Sequence, residues 1–326
     1  MELAFALPAP AETGGGGGTD YVNGLVPALR ELGHSVDLLE GDAPVLPPGC
    51  VPVIDGMLLP RLRARLDELV AAGAVALVHH VAAAAGRDED ARAGVLAIER
   101  EMLPRLRRVI TTSQPVAARL QSAIGVPAQV VPPGVRDLPR SNGGAGDPVV
   151  LSVGVFTRRK GHDLLLRTMA GLADLRWQLV IAGDSGREPA HAAELAALIE
   201  ELGLGRRATL LADPSRADLQ RAWEQATLFA LATRWEGYAS AVAEALRRGL
   251  PVVVTDGGDA GALVPHEAGA VCPRDDMATF GKCLRRVLFD RDLRADMAGA
   301  AWQAGQQLPG WPERARQFVA ALSSSA

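Results

Sequence analysis

The 326-residue sequence has few cysteines, no long apolar run and no excess of basic residues, and each shortage excludes a class of protein. The three cysteines, Cys50, Cys272 and Cys283, form neither a C-x-x-C pair nor a Cys/His metal spacing. This predicts reduced thiols rather than a disulfide framework or a metal centre. The formal net charge of −4 argues against nucleic-acid binding. The longest apolar stretch, 71–85, contains two histidines and is too short to span a bilayer.

The first ten residues, MELAFALPAP, lack the features of a secretion signal. No basic segment precedes the apolar residues, and proline and glycine follow too early for an uninterrupted apolar segment. Together with the expected reduced cysteines, this predicts a cytoplasmic protein.

The length exceeds the size at which a single hydrophobic core usually stops growing, which predicts two domains. Segment 138–148 (LPRSNGGAGDP) is rich in glycine, proline and serine, lacks apolar periodicity and precedes a new strand. These properties are typical of a linker between domains. We therefore predict an N-terminal domain over 1–140 and a C-terminal domain over 146–307.

Short, continuous apolar runs alternate with helical segments along the chain. Such runs are typical of strands that are covered on both faces, and the alternation predicts an α/β fold with doubly wound parallel sheets. Strands are predicted at 3–7, 35–39, 75–78, 108–112, 149–155, 178–182, 208–211, 228–232 and 251–255, and helices include 21–32, 60–71, 92–107, 190–202, 215–225 and 240–248.

Two segments between a strand and a helix have the composition of anion-binding loops. The glycine run 14–18 lets backbone N–H groups approach an anion at a helix N-terminus. By itself, the run is equally consistent with a connecting loop that binds no ligand. The segment GVFTRRKG, 154–161, places three consecutive cations at the carboxyl end of a strand, where open α/β sheets bind their ligands. Such cations suit phosphate oxygens, although a solvated basic turn is the alternative.

The most specific segment is EGYASAVAE, 236–244. Ser240 is predicted to cap the helix, so that Glu236 lies in the loop before it and Glu244 one turn inside. The two carboxylates would accept hydrogen bonds from sugar and ribose hydroxyls, and the backbone amides of 237–240 would donate to phosphate. The apolar residues between them argue against a solvated charged face.

Taken in order, these segments resemble the retaining glycosyltransferases of family 4, also called glycosyl transferases group 1. The resemblance is strongest from 148 to 259, in VGVFTRRKGHDLLL, LVIAGD and EGYASAVAEALRRGLPVVVTDGG, and the 236–244 spacing matches the E-x7-E motif. It implies a GT-B fold, in which two Rossmann-like doubly wound domains face each other across a cleft. The C-terminal domain would bind a nucleotide-sugar and the N-terminal domain an acceptor, and a last helix, about 308–326, would pack back on the N-terminal domain.

The resemblance also implies roles for individual residues. Lys160 would neutralise the donor diphosphate, Glu244 would bind the ribose hydroxyls, and Glu236 would contact the donor sugar. Either His79 or His80 would lie near the reacting sugar. The full diphosphate-binding set would comprise Lys160, Arg159, Arg158, Gly17, Gly18, Gly237, Tyr238, Ala239 and Ser240.

The function implied is a retaining hexosyltransferase that uses a nucleoside-diphosphate sugar. UDP-sugars are favoured as donors, with GDP-mannose next, and the acceptor is a glycolipid, a polysaccharide or a small molecule. No metal or other cofactor is expected, because no acidic pair is identified as a metal clamp. The sequence departs from the family at three places, with Val155 for an arginine, Ala239 for a glycine and Gly261-Ala262 for a Pro-Glu pair. Two alternatives therefore stay open, a GT-B sugar-nucleotide epimerase and a catalytically degenerate nucleotide-binding partner subunit.

The predicted helix 60–71 has two interpretations. It places Leu62, Leu66 and Leu69 on one face with three arginines nearby, a pattern found in helices that make weak peripheral contact with membranes. The favoured interpretation is a surface helix packed on its own sheet, since the N-terminal half is slightly acidic.

Overall fold

The computed structural model describes residues 1–9, 17–42, 44–79, 89–144 and 146–323. The chain divides into two compact units, Met1–Gly134 with Pro309–Ala326, and Val135–Leu308. Segment 138–148, which we predicted to be a linker, belongs to the second unit. The hydroxyl of Ser141 donates to the carbonyl oxygens of Glu224 and Ala226, at 3.0 and 2.6 Å, so the segment is held by backbone acceptors although it has no apolar periodicity.

The first unit is built on a six-stranded sheet of order β2-β1-β3-β4-β5-β6, in which every paired strand is parallel to its neighbour. Its strands are β1 (Glu2–Leu7), β2 (Ser35–Glu40), β3 (Val51–Asp55), β4 (Val75–Val78), β5 (Arg108–Thr111) and β6 (Gln129–Val130). Its helices include α1 (Gly17–Glu31), α2 (Leu59–Leu62), α3 (Leu66–Ala71), α4 (Glu89–Met102) and α5 (Gln114–Ile124).

The second unit has a six-stranded sheet of order β12-β11-β10-β7-β8-β9, again with parallel pairs. Its strands are β7 (Val149–Val153), β8 (Gln178–Gly183), β9 (Ala208–Ala212), β10 (Leu228–Leu231), β11 (Val252–Thr255) and β12 (Gly269–Cys272). Its helices are α6 (His162–Ala170), α7 (Pro189–Glu201), α8 (Arg216–Gln225), α9 (Ser240–Arg247), α10 (Met277–Phe289) and α11 (Arg291–Gln307). The predicted α/β class with parallel sheets is confirmed.

Both faces of the second sheet are covered, because alternate residues of one strand enter different cores. In β10, Leu228 and Ala230 pack in a core with residues of α6, α7 and α10, whereas Phe229 and Leu231 pack in another with residues of α8, α9 and α11. Successive side chains of a strand point to opposite faces, so a strand buried on both sides has no polar alternation. This is why the apolar runs in the sequence are continuous.

The last helix, α12 (Trp311–Ser323), packs on the first unit. The ring of Phe318 stacks on Phe5 of β1, with centroids 5.8 Å apart. Trp311 approaches Tyr21 of α1 edge-on at 5.6 Å, and a side-chain carbon on Gly24 would overlap the Trp311 indole. The C-terminal segment therefore helps to complete the core of the N-terminal unit.

The predicted helix 60–71 is interrupted in the structure. A 3-10 turn at Arg63–Arg65 separates α2 from α3, and Leu62, Leu66 and Leu69 are buried within the unit. Arg61, Arg63 and Arg65 make ion pairs with Asp42, Glu101 and Glu68, respectively. The apolar face is thus used for packing and the arginines have carboxylate partners, which favours the packed-helix interpretation. Among the described helices, none is both long and apolar enough to cross a membrane.

Candidate functional site

The candidate site lies at the carboxyl edge of the second sheet, where the strand order reverses. The chain proceeds outward from β7 through β8 to β9, and then returns to β10 on the other side of β7. Open α/β sheets bind ligands at such a reversal point. The loops after β7 and β10 carry the cationic segment and the first glutamate of the E-x7-E motif, and they meet here. The backbone N–H of Arg234 donates to the carbonyl of Arg159 at 2.9 Å.

A buried carboxylate flanked by two cations forms the centre of the site. Glu236 is 4% exposed, and its Oε1 lies 2.8 Å from the Nζ of Lys160. Its Oε2 lies 3.1 Å from Nη1 of Arg159. Burial would raise the pKa of Glu236, but the charges of Lys160 and Arg159 outweigh it and hold this pKa below its ordinary value. Burial lowers the pKa of Lys160, and Glu236 offsets part of that shift.

Two threonines orient this carboxylate, and sequence reasoning missed both of them. The hydroxyl of Thr233 donates to Glu236 Oε1 at 3.0 Å, and the hydroxyl of Thr255 donates to the carbonyl of Thr233 at 2.6 Å. The backbone of Glu236 is fixed as well, because its N–H donates to Gly257 O at 3.0 Å and its carbonyl accepts from Asp259 N at 3.1 Å. The available signal was positional, since Thr255 is the last residue of the buried strand β11 and Thr233 follows the buried strand β10 by two residues.

Glycines allow the backbone to approach closely around Lys160. A side-chain carbon on Gly154 would lie 2.9 Å from Cε of Lys160, so the absence of a side chain leaves room for the lysine stem. Gly161 has φ +68°, and a side-chain carbon there would lie 1.9 Å from the carbonyl oxygen of Ala232. Both glycines therefore control where the lysine can lie.

Gly161→Ala is expected to lower the free energy of unfolding by at least about 3 kcal/mol, because a backbone clash adds to the cost of a positive φ. Gly203→Ala is the matched control. Gly203 has φ +67°, but a side-chain carbon there would meet no atom within 4 Å, so only the conformational cost of about 1–2 kcal/mol applies. Urea denaturation of the two variants measures the difference. Equal losses would contradict the proposed clash with Ala232.

The three predicted cations do not act together. Arg159 and Lys160 face Glu236, whereas the guanidinium of Arg158 pairs with Glu194 of α7. The 3-10 turn Arg158–Lys160 explains the separation, since consecutive residues of a tight turn point in different directions. Arg158 therefore lies beside the site with its charge already paired.

The second glutamate of the motif lies on α9 with an arginine partner. Oε1 of Glu244 accepts from Nε and Nη2 of Arg248, at 3.1 and 2.9 Å, and the Glu244 side chain is 32% exposed. Gly237, Tyr238 and Ala239 form the loop that joins Glu236 to the helix.

The predicted capping role of Ser240 is wrong. The N-cap of α9 is Ala239, which makes no side-chain hydrogen bond to the helix, and Ser240 is already helical. Ala239 is only 2% exposed, and its methyl group packs in the core. The N-cap residue thus provides no side-chain acceptor for the N–H groups of the first helical turn. An anion at this end of the helix could accept hydrogen bonds from them.

In the first unit, the structure brings Gly18 and His79 together. Gly17 and Gly18 begin α1, and a side-chain carbon on Gly18 would lie 3.1 Å from Cδ2 of His79, which follows β4. His79 Nε2 lies 3.7 Å from Oδ2 of Asp55. Burial lowers the pKa of His79 to about 4, so the ring is neutral at pH 7. His80, the alternative candidate, and Gly14–Gly16 lie outside the described residues.

A family model described as glycosyl transferases group 1 matches residues 136–303, just over half of the chain. The chain belongs to this family. The matched segment lies within the second unit and contains Arg159, Lys160, Glu236 and Glu244. In the described part of this group 1 glycosyltransferase, no group of three or more histidine, cysteine, aspartate or glutamate residues is arranged to hold a metal ion.

Curated relatives match part of this group 1 glycosyltransferase. It is 32% identical over 185 residues to the D-inositol 3-phosphate glycosyltransferase of Mycolicibacterium smegmatis. The match covers 56% of the chain and 42% of the relative, so the chain spans less than half of that protein's length.

Solved structures establish the fold over nearly the whole chain. Sucrose-phosphate synthase from Thermosynechococcus elongatus superposes with a TM-score of 0.82 at 20% identity, covering 98% of each chain. Anabaena HepE, solved in complex with UDP and glucose, superposes with a TM-score of 0.77 at 19% identity, covering 100% of each chain. The group 1 glycosyltransferase therefore has the GT-B fold that its sequence predicts.

Proposed function

We propose that this group 1 glycosyltransferase transfers a hexosyl group, with retention of anomeric configuration, from a nucleoside-diphosphate sugar to an acceptor hydroxyl. The observation that carries the proposal is the Lys160–Glu236–Arg159 cluster at the reversal point of the second sheet. It combines fixed positive charge with a fixed hydrogen-bond acceptor, which are the two groups that a sugar diphosphate requires.

The chemistry follows from the charge that develops during the reaction. The bond between the anomeric carbon and the diphosphate oxygen breaks, and negative charge accumulates on the leaving oxygens. Preorganised cations and a helix N-terminus stabilise charge where it forms. Lys160, Arg159 and the first turn of α9 supply these groups. No metal is required in this scheme, since the protein's own cations neutralise the leaving group.

The remaining roles concern binding and orientation. Glu236 accepts hydrogen bonds from hydroxyls of the transferred sugar, and Glu244 from those of the ribose. For the first unit, we propose the roles that the family resemblance implies: Gly17 and Gly18 bind the donor diphosphate, and His79 interacts with the reacting sugar. As a neutral ring, His79 carries no charge that would oppose an oxocarbenium-like sugar, and its ring nitrogens can exchange hydrogen bonds with hydroxyls.

UDP-sugars are the favoured donors, with GDP-mannose next. The complex of HepE with UDP and glucose supports the first choice. For the acceptor, a glycolipid, a polysaccharide and a small molecule are all compatible with the site. The name of the Mycolicibacterium smegmatis relative adds one specific small-molecule candidate, D-inositol 3-phosphate.

A nucleotide-binding protein without transferase activity is the second candidate. It is favoured by the three departures from the family pattern, Val155, Ala239 and Gly261-Ala262. An epimerase, which would release free nucleotide without an acceptor, is a further alternative. Measuring nucleotide release with and without acceptor separates the three activities.

The first experiment is a thermal-shift screen with UDP, GDP, UDP-glucose and GDP-mannose, because a ligand that binds the folded state raises the melting temperature by mass action. We expect one nucleotide series to raise it and Glu244→Ala to weaken the shift. NMR of the product then gives the anomeric configuration. If neither series binds, the proposal is wrong, and an inverted product would refute retention alone.

A further inference from the structure

Arg248 is a buried arginine that the proposed reaction does not use. Its side chain is 2% exposed at the C-terminal end of α9. The guanidinium carbon lies 5.3 Å from the ring centroid of Trp223, a core residue of α8. A guanidinium is costly to bury, and such groups persist where their hydrogen bonds are specific. Nη1 of Arg248 is buried without a hydrogen-bond partner among the described residues, so the remaining contacts must hold the group in place.

Those contacts form a chain that ends on Glu244. The carboxylate of Glu224 accepts from Nε2 of Gln220 at 2.8 Å, which presents the amide oxygen of Gln220 to Arg248. Nη2 of Arg248 donates to that oxygen at 2.8 Å. Nε and Nη2 of Arg248 then donate to Oε1 of Glu244 at 3.1 and 2.9 Å. The stacking on Trp223 and the bond to Gln220 fix the guanidinium, and its two N–H groups fix the carboxylate.

The arrangement matters because the Glu244 side chain is 32% exposed and a glutamate on a helix can adopt several rotamers. A glutamate that samples these rotamers must lose this freedom when it binds a ligand hydroxyl. The guanidinium of Arg248 holds one carboxylate oxygen of Glu244 through two N–H donors, so most of the rotamer freedom of Glu244 is already lost on folding. Because less freedom then remains to be lost on binding, the ligand binds more tightly. Arg247 is a contrast on the same helix, since it is also buried but donates to Gln306 Oε1 and Leu308 O instead.

We propose that Arg248 is a positioning residue, which orients the Glu244 carboxylate toward the ribose hydroxyls of the donor. This inference rests on the proposed function, because it assumes that Glu244 binds ribose. Arg248 is therefore expected to strengthen the binding of ligands that carry both ribose hydroxyls, and to have no effect on the affinity of ligands that lack them.

The test compares UDP with 2′,3′-dideoxy-UDP, and GDP with its dideoxy analogue, by isothermal titration calorimetry on the full chain. Hydrogen bonds to a charged group are worth about 1.5–3 kcal/mol, so the wild type should bind its preferred diphosphate about 10- to 100-fold more tightly than the dideoxy form. Arg248→Met should reduce this ratio to about threefold or less, while the Kd of the dideoxy form stays within about twofold of the wild-type value. Arg248→Lys should give an intermediate ratio, because one N–H group replaces the fork.

Arg247→Met is the matched control. It removes a buried arginine from the same helix and is expected to keep the wild-type ratio, although it lowers stability. If Arg248→Met does not fold, Gln220→Leu removes one support of the guanidinium from a half-buried position and should lower the ratio in part.

The outcomes separate this inference from the proposed function. Binding of neither UDP nor GDP by the wild type would reject both. If Glu244→Ala keeps the wild-type ratio of affinities for the normal and dideoxy ligands, Glu244 does not bind the ribose, and the inference about Arg248 is wrong as well. If Glu244→Ala loses the ratio but Arg248→Met and Gln220→Leu keep it, only the role of Arg248 is wrong. A variant at Arg248 that weakens the normal and dideoxy ligands equally would also overturn it, since a purely structural role has that effect.

Discussion

Lys160→Ala is expected to lower kcat for sugar transfer by about 10²- to 10³-fold, the loss typical when one preorganised group is removed from a developing oxyanion. Lys160 is held beside Glu236 in a largely buried position, with its side chain 13% exposed, so water does not readily replace its charge. Steady-state rates at saturating donor and acceptor measure the effect. Lys160→Arg should recover only part of the rate, because the longer, planar group cannot occupy the space beside Gly154 in the same way.

The chain offers an internal control for this experiment. It contains only one other lysine, Lys282, which is exposed on α10, and Lys282→Ala should transfer sugar at the wild-type rate. Amine-reactive labelling read by mass spectrometry adds a binding measurement, since a nucleoside diphosphate should protect Lys160 and leave Lys282 reactive. A Lys160→Ala enzyme with full activity, or equal labelling of both lysines with and without ligand, would reject the assignment of Lys160.

Glu236→Gln is expected to lower both transfer and stability. The carboxylate is 4% exposed, and its loss leaves Lys160 and Arg159 without their anionic partner. Breaking a buried ion pair costs about 3–5 kcal/mol, and we expect the lower end because Arg159 is 36% exposed and partly solvated. Urea denaturation at pH 7 measures the change in the free energy of unfolding.

The stability difference should depend on pH with a definite sign. The pKa of Glu236 in the folded state lies below its ordinary value of 4.5. The unfolded chain therefore binds the proton first as pH falls, so the contribution of Glu236 is complete above about pH 4.5 and is lost as pH decreases through the folded-state pKa. The difference between wild type and Glu236→Gln should accordingly shrink below pH 4.5. Asp174→Asn, which alters an exposed pair with Arg285, is the control and should scarcely change stability at pH 7. A Glu236→Gln protein as stable as the wild type would contradict the paired-charge assignment.

Most strands were predictable because they are buried on both faces, but three were missed for identifiable reasons. β3 contains Pro52, which cannot donate to a neighbouring strand and is unusual inside a sheet. It nevertheless pairs with β1 on one side and β4 on the other. β6 has only two residues, and β12 (Gly269–Cys272) is short and begins with glycine. None of these segments has enough periodicity to distinguish it from a loop.

The site was predictable in its charged residues but not in the groups that hold them. The sequence indicates Lys160, Glu236 and Glu244 through their positions after strands and their spacing. It does not indicate that Thr255 supports Thr233, because that contact requires β10 and β11 to be neighbours. Arg248 was equally hidden, since an arginine at a helix C-terminus usually favours the helix dipole at the surface.

The buried carboxylate of Glu236, which pairs with both Lys160 and Arg159, affects which small anions can bind beside Lys160. Glu236 is tied by its backbone to Gly257 and Asp259 and by its side chain to Thr233, so it cannot swing away when an anion approaches Lys160. A bare ion such as sulfate or inorganic phosphate would meet repulsion from that carboxylate as well as attraction from the lysine. A ligand that carries hydroxyls next to its phosphates can donate to Glu236 and turn the repulsion into a bond. Under the proposed function, the same fixed acid would disfavour abundant cellular anions and favour ligands whose hydroxyls adjoin their phosphates.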